Sequence, residues 1–196
     1  AREQAGEAAE MAAAAIEKVK PRLRGVIHEY AFFVALILGG VLVWQARGAE
    51  ATTAMAIYAA GICGLFGVSA LYHRKTWQPR ARAWMRRLDH SMIFVFIAAS
   101  ITPFALLVVH GGLATAMLCI AWGGALAGIV LSLAWVGAPK WLTATVYVAL
   151  GGLGALMAPQ IWNGLGWLAF AGIALGGALY ATGAVIYATG RPNPAP

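Results

Sequence analysis

Acidic side chains are scarce in this sequence: seven Asp and Glu stand against 14 Lys and Arg in 196 residues. Charged residues together make up 11%, less than half of the roughly 25% usual in a soluble domain. That shortage argues against a water-covered globule. Cysteine is nearly absent. Cys63 and Cys119 sit inside apolar runs, without metal-type spacing and without a disulfide framework. They read as small apolar side chains, and the redox compartment stays open. No charged residue occurs from Trp141 to Gly190. A cleavable leader is not expected, because the first apolar run follows a long charged segment and has no short h-region with a cleavage site. No glycine cluster lies between a strand and a helix, which excludes a phosphate loop. Pairs such as Gly39-Gly40, Gly123-Gly124, Gly151-Gly152 and Gly176-Gly177 are instead the small residues that let helices approach closely in lipid.

What is present is apolar: 61% hydrophobic residues and a mean hydropathy of +0.75. The fold class expected is all-α, a polytopic transmembrane helix bundle. A spanning helix needs about 20 mainly apolar residues, and six such runs are legible, over 26–46, 53–73, 88–109, 113–135, 141–158 and 165–188. Residues 1–20 form an Ala- and Glu-rich cytoplasmic or interfacial segment, and 21–196 the membrane domain. Turns are expected at Arg47 to Glu50, His110 to Gly112, Gly137 to Lys140 and Pro159 to Gly164, with a basic loop from Arg74 to Arg87. With the N-terminus inside, all 14 Lys and Arg except Arg47 are cytoplasmic, which the positive-inside rule favours. The chain is therefore expected in the cell membrane, multi-pass, with both termini cytoplasmic and the lipid bilayer as its first partner. The net charge of +7 is explained by this topology and by lipid headgroups, so nucleic acid is not expected as a partner. Most Trp residues fall near predicted helix ends, as an interfacial belt. Trp122 falls mid-span and reads as packing. Pro103 removes an intrahelical hydrogen bond and is expected to kink the third span.

Polar groups within spans are costly and face the bundle interior. Three helix ends bring such groups to one membrane edge: His28 and Glu29 at the start of the first span, Ser69 and His73 at the end of the second, Asp89 and His90 at the start of the third. Ser69 and His73 are four apart and share a helix face. Asp89 and His90 are adjacent and point about 100° apart. His73 reads either as an interfacial histidine bonded to Asp89 or Ser69, or as a metal ligand. Asp89 is either a partner of Arg86 or Arg87 or part of the same site. Ser69 is a helix-packing hydroxyl or a donor. His28 and Glu29 read as an interfacial helix start. His110 lies at the opposite edge.

The pattern Ser69-x-x-x-His73, the basic loop with Trp77 and Pro79, Arg87-Leu88-Asp89-His90-Ser91, and Thr102-Pro103-Phe104 resembles the hemolysin III branch of the progestin and adipoQ receptor superfamily. The stretch Gly176 to Ala188 is similar to that family's sixth helix. The resemblance implies a seven-helix bundle with a cytoplasmic N-terminus and a zinc ion in its cytoplasmic half. It implies that His73 ligates the metal, that Asp89 holds a metal-bound water and that Ser69 sits beside the site. The remaining ligands belong to a His-x-x-x-His motif in the seventh helix. No two of the four histidines here are four apart, so this chain is expected to lack that helix and to bind zinc weakly by itself. The function implied is a zinc-dependent membrane hydrolase of a lipid amide or ester, with Asp89 and Ser69 as catalytic groups. Two alternatives stand beside it: a cytolytic or pore-forming factor, and a receptor-like lipid sensor with structural zinc.

Overall fold

A computed structural model describes residues 22–135 and 138–189. The expected segment 1–20, the first residue of the Gly137 to Lys140 turn and the tail after residue 189 lie outside the described residues. Within them every regular element is helical: α1 (Arg22–Gln45), α2 (Ala49–Arg74), α3 (Pro79–Leu107), α4 (Gly112–Ala134), α5 (Lys140–Gly152), a short 3-10 turn (Leu153–Met157) and α6 (Ala158–Thr189). Consecutive helices pack in sequence, α1 on α2, α2 on α3, α3 on α4 and α5 on α6, with α3 also touching α5 and the 3-10 turn.

The helix ends follow local chemistry. The α2 carbonyls end against the Trp77 indole, whose Nε1–H donates to the Leu71 oxygen at 3.1 Å. Gln78 is extended, as a residue before proline must be. Pro79 then opens α3, where its missing N–H costs nothing. The basic loop expected over 74–87 is thereby corrected. Only residues 75–78 are non-helical, and Arg80, Arg82, Arg86 and Arg87 ride on the first turns of α3.

The span count is corrected too. Among the described residues, five helical stretches are long and apolar enough to cross a membrane, and the last, Trp141–Thr189, is one apolar stretch bent at a 3-10 turn and at Gly166. α5 has 13 residues, about 20 Å at 1.5 Å per residue, short of a hydrocarbon core of about 30 Å. The expected turn at Pro159 to Gly164 is helical, because proline is tolerated in a first turn. The run still reverses. Thr143 and Tyr187 line one cavity, while Gln160 between them accepts a hydrogen bond from the His110 backbone at the other end of the bundle, 2.8 Å. The reversal uses the 3-10 turn and Gly166, at φ 79° and ψ 177°, a region open essentially to glycine alone.

α3 is the central helix: half of its apolar window is buried, against at most 22% in any other span. Phe94, Ile97, Ala98, Ile101 and Ala105 form its buried stripe and meet Met117 and Ala121 of α4, Tyr147 of α5, and Met157 and Ile161 beyond it. Seams between neighbours are closed by small residues. A Cβ at Gly61 of α2 would stand 2.5 Å from the Ala99 Cβ of α3. α3 remains helical through Pro103. Next to it, Thr102 Oγ1 donates to the Ala98 carbonyl at 2.8 Å and accepts from Trp122 Nε1 at 3.1 Å. Trp122 is thus fixed to α3 by its indole N–H, in the packing role read from its mid-span position. Most outward-facing side chains of the spans are large and apolar, such as Phe33, Ile37, Leu126, Val130, Leu168 and Leu179, as lipid contact requires.

Candidate polar site at the basic end of the bundle

The start of α1, the end of α2 and the start of α3 share one end of the bundle, where Arg74, Lys75, Arg80, Arg82, Arg86 and Arg87 also lie. Gly25 lets α1 close on α2 here: a Cβ on it would stand 3.2 Å from the His73 Cβ and 3.0 Å from Arg74 Cγ. That approach brings His28 Nδ1 to 2.7 Å from Ser69 Oγ. Ser69 is 5% exposed, so a buried hydroxyl has found its partner on the neighbouring helix, as burial demands. The His28 ring also lies edge-on to His73, 6.3 Å between centroids, and 5.7 Å from Phe66. Outside this pair, Glu29 Oε2 meets Arg74 Nε at 2.8 Å.

Both partners of that ion pair are about half exposed, 43% and 52%, and such pairs contribute about 0.2–1 kcal/mol. Glu29→Gln is therefore expected to lower stability by no more than about 1 kcal/mol, with the difference shrinking in high salt. Thermal unfolding in detergent at two ionic strengths checks it, and a large salt-insensitive loss would contradict the reading.

The structure brings Ser69 and His73 together on one face, as their spacing predicts, and adds His28, which the sequence reading left as a helix start. Asp89 lies on the adjoining helix, half-buried, close enough to Tyr147 and Tyr187 to act on them electrostatically. His90 turns to its own helix: its Nδ1 is 2.7 Å from the Arg86 carbonyl, and its own carbonyl accepts from the Tyr147 hydroxyl at 3.3 Å. His110 is at the far end, as expected.

The direction of the His28–Ser69 bond decides its chemistry. With the proton on His28 Nδ1, the imidazole donates and the Ser69 O–H remains available to a developing oxyanion. With the proton on Nε2, Ser69 donates and its oxygen becomes the better nucleophile. Zinc fits less well. A catalytic zinc takes about three protein ligands, and among the described residues no group of three or more His, Cys, Asp or Glu could hold a metal. A complete site needs donors beyond them.

A second cavity, of about 660 Å³, lies toward the other end. Met55, Tyr58, Phe96, Ile101, Met157 and Tyr180 are among its lining residues. Its volume is within the roughly 300–1,000 Å³ of small-molecule pockets. Tyr58 and Ser69 are eleven residues apart, three helical turns, so the face of α2 that lines this cavity also carries Ser69, about 16 Å further along the axis.

These features define a polytopic helical membrane protein with a half-buried polar cluster, built around the buried Ser69, at its basic end. Comparison with known proteins goes one step further. The model of the family described as haemolysin-III related matches residues 16–196, and the chain belongs to that family. It is 29% identical over 139 residues to Hemolysin-3 of Bacillus cereus, covering 71% of this chain and 63% of the relative. It is 31% identical over 131 residues to a Hemolysin-3 homolog of Bacillus subtilis, covering 67% and 61%. The human monocyte to macrophage differentiation factor is 29% identical over 138 residues, covering 67% and 56%. The match spans less than two thirds of the length of each of these relatives.

Proposed function

We propose that this protein is a membrane-embedded hydrolase of a lipid amide or ester, with Ser69, His28, His73 and Asp89 as its polar machinery. The observation that carries the reading is the 2.7 Å bond between His28 and the buried Ser69. A serine hydroxyl bonded to an imidazole is the arrangement in which an adjacent base activates or orients it for acyl chemistry. The apolar cavity supports a lipid substrate. An acyl chain lying in it, on the Ser69 face of α2, would place the scissile carbonyl near the polar cluster at the basic end. Ser69 then holds the carbonyl oxygen, and Asp89 orients or deprotonates the attacking water. Zinc belongs to the proposal through the family resemblance, with His73 as the ligand this chain supplies. Bound there it would polarise the carbonyl and lower the pKa of water. The basic end faces the cytoplasm of the cell membrane on this reading.

The test is release of free fatty acid by purified protein in liposomes containing a lipid amide or a lipid ester, with the same vesicles carrying a trapped dye. Fatty acid without leakage is the expected result. Leakage that scales with protein dose, with no fatty acid, would support instead the cytolytic activity suggested by the names of the bacterial relatives. Silence in both, from protein that unfolds cooperatively and contains zinc, would leave a sensor with structural metal.

A further inference from the structure

Four helix ends meet around a second, smaller cavity at the basic end, separate from the His28–Ser69 cluster. Arg86, Arg87 and His90 of α3 line it, with Ser132 of α4, Thr143 of α5 and Tyr187 of α6. Its volume is about 40 Å³, room for roughly three waters at 10–15 Å³ each, or for one compact polyatomic group. The lining offers two guanidinium groups and the hydroxyls of Ser132 and Tyr187, while Thr143 Oγ1 already donates to the Pro139 carbonyl at 3.4 Å and His90 Nδ1 to the Arg86 carbonyl at 2.7 Å. Among the described residues neither arginine is in an ion pair. Arg87 lies over the Trp84 ring at 4.7 Å, and its buried Nε has no hydrogen-bond partner. A buried guanidinium N–H without an acceptor is expensive to leave so. Arginine's planar fork matches phosphate oxygens. Among the described residues, Asp89 is the acidic group near this cavity, and it shares the surroundings of Tyr187 with Arg86. Among the described residues, two arginines against one aspartate leave a single net positive charge, the complement of a phosphodiester.

We propose that this cavity is a phosphate-group site that takes the headgroup of an anionic membrane lipid. The source is argued from position. The cavity sits where charged helix ends meet apolar spans, Trp135 is part of its wall, and tryptophan marks the headgroup level. Phosphodiester lipids are also the densest anions at such a surface. The site does not depend on the hydrolase reading, since none of its donors is Ser69, His28 or His73.

Native mass spectrometry of delipidated protein in detergent tests it, with phosphatidylglycerol, phosphatidylcholine and inorganic phosphate offered separately. The wild type is expected to retain one phosphatidylglycerol at concentrations about tenfold below those needed for phosphatidylcholine. Arg86→Gln with Arg87→Gln should abolish that preference. Lys75→Gln with Arg80→Gln, basic positions outside the cavity, should keep it. Ser132→Ala, which leaves the charges in place, should weaken retention about threefold, and it serves if the arginine pair proves necessary for folding. Retention of inorganic phosphate, lost in the arginine variant, would uphold the phosphate site and assign its source to the soluble anion. Equal retention of the two lipids, or equal losses in the cavity and control variants, would overturn it.

Discussion

Replacing His28 with alanine is expected to cost about as much lipid-hydrolase activity as replacing Ser69 itself, roughly 10²–10³-fold in kcat/KM, the range for loss of one oxyanion donor. Ser69 is buried and its hydroxyl is held from another helix at 2.7 Å. Without the imidazole, the hydroxyl can turn back to the carbonyl one turn earlier in α2, the usual refuge of a helical serine. Its proton would then point along the helix and away from a substrate. The two residues should therefore behave as one unit, and the double variant should lose little more than either single one. Measured kcat/KM for the two single variants and the double decides the matter. Losses that multiply in the double variant would mean that His28 acts independently of Ser69. His28→Ala with full activity would remove the pair from the mechanism. Folding is controlled by the thermal midpoint of each variant in detergent.

Gly128→Val is expected to destabilise the bundle by about 1–3 kcal/mol, the usual cost of overpacking a filled core. A Cβ at Gly128 of α4 would fall inside the van der Waals envelope of the Phe94 ring. That ring cannot retreat. It is 0% exposed and rests against Tyr147, 4.6 Å between centroids, in the central helix. Gly123 lies five residues earlier on the same helix and a Cβ there would meet nothing within 4 Å. Gly123→Val removes the same backbone freedom without the collision, and should stay within about 0.5 kcal/mol of wild type. Denaturant or thermal unfolding of both variants in the same detergent separates packing from glycine content. Equal destabilisation would mean that α4 does not pack on Phe94 as described.

The first four spans were legible because their apolar runs are broken by Arg47 to Glu50, by Arg74, by His110 to Gly112 and by Gly137 to Lys140. The shared face of Ser69 and His73 was legible because helical spacing alone decides it. Charge misled at the start of α3. An arginine-rich stretch reads as loop, yet its long side chains can reach water from a helix whose stem is apolar. Pro79 was the available signal, since proline favours the first turn of a helix. Pro159, which as a helix breaker suggests a turn, sits instead at the second residue of α6, where proline fits. The His28–Ser69 bond joins residues 41 apart. No periodicity reveals it, although the antiparallel pairing of α1 and α2 puts both at one level. The small arginine-lined cavity needed four helix ends at once, and only the folded chain supplies that.

The two ends of the bundle reverse the chain by different means. Away from the basic end, the α1–α2 and α3–α4 connections turn at Gly48 and Gly111, and the last run turns at Gly166, all three with positive φ and with nothing within 4 Å of a would-be Cβ. Turns this tight carry almost no polar cargo. On the orientation proposed above, the charged side chains that must be carried across the bilayer during biosynthesis reduce to Arg47 and Glu50, one of each sign beside the first glycine. Each helical pair can thus enter the membrane as a closed hairpin whose leading tip is nearly neutral, while the arginine-rich ends stay on the side where the chain was made. What has to cross is set by the near absence of charged residues at these glycine turns.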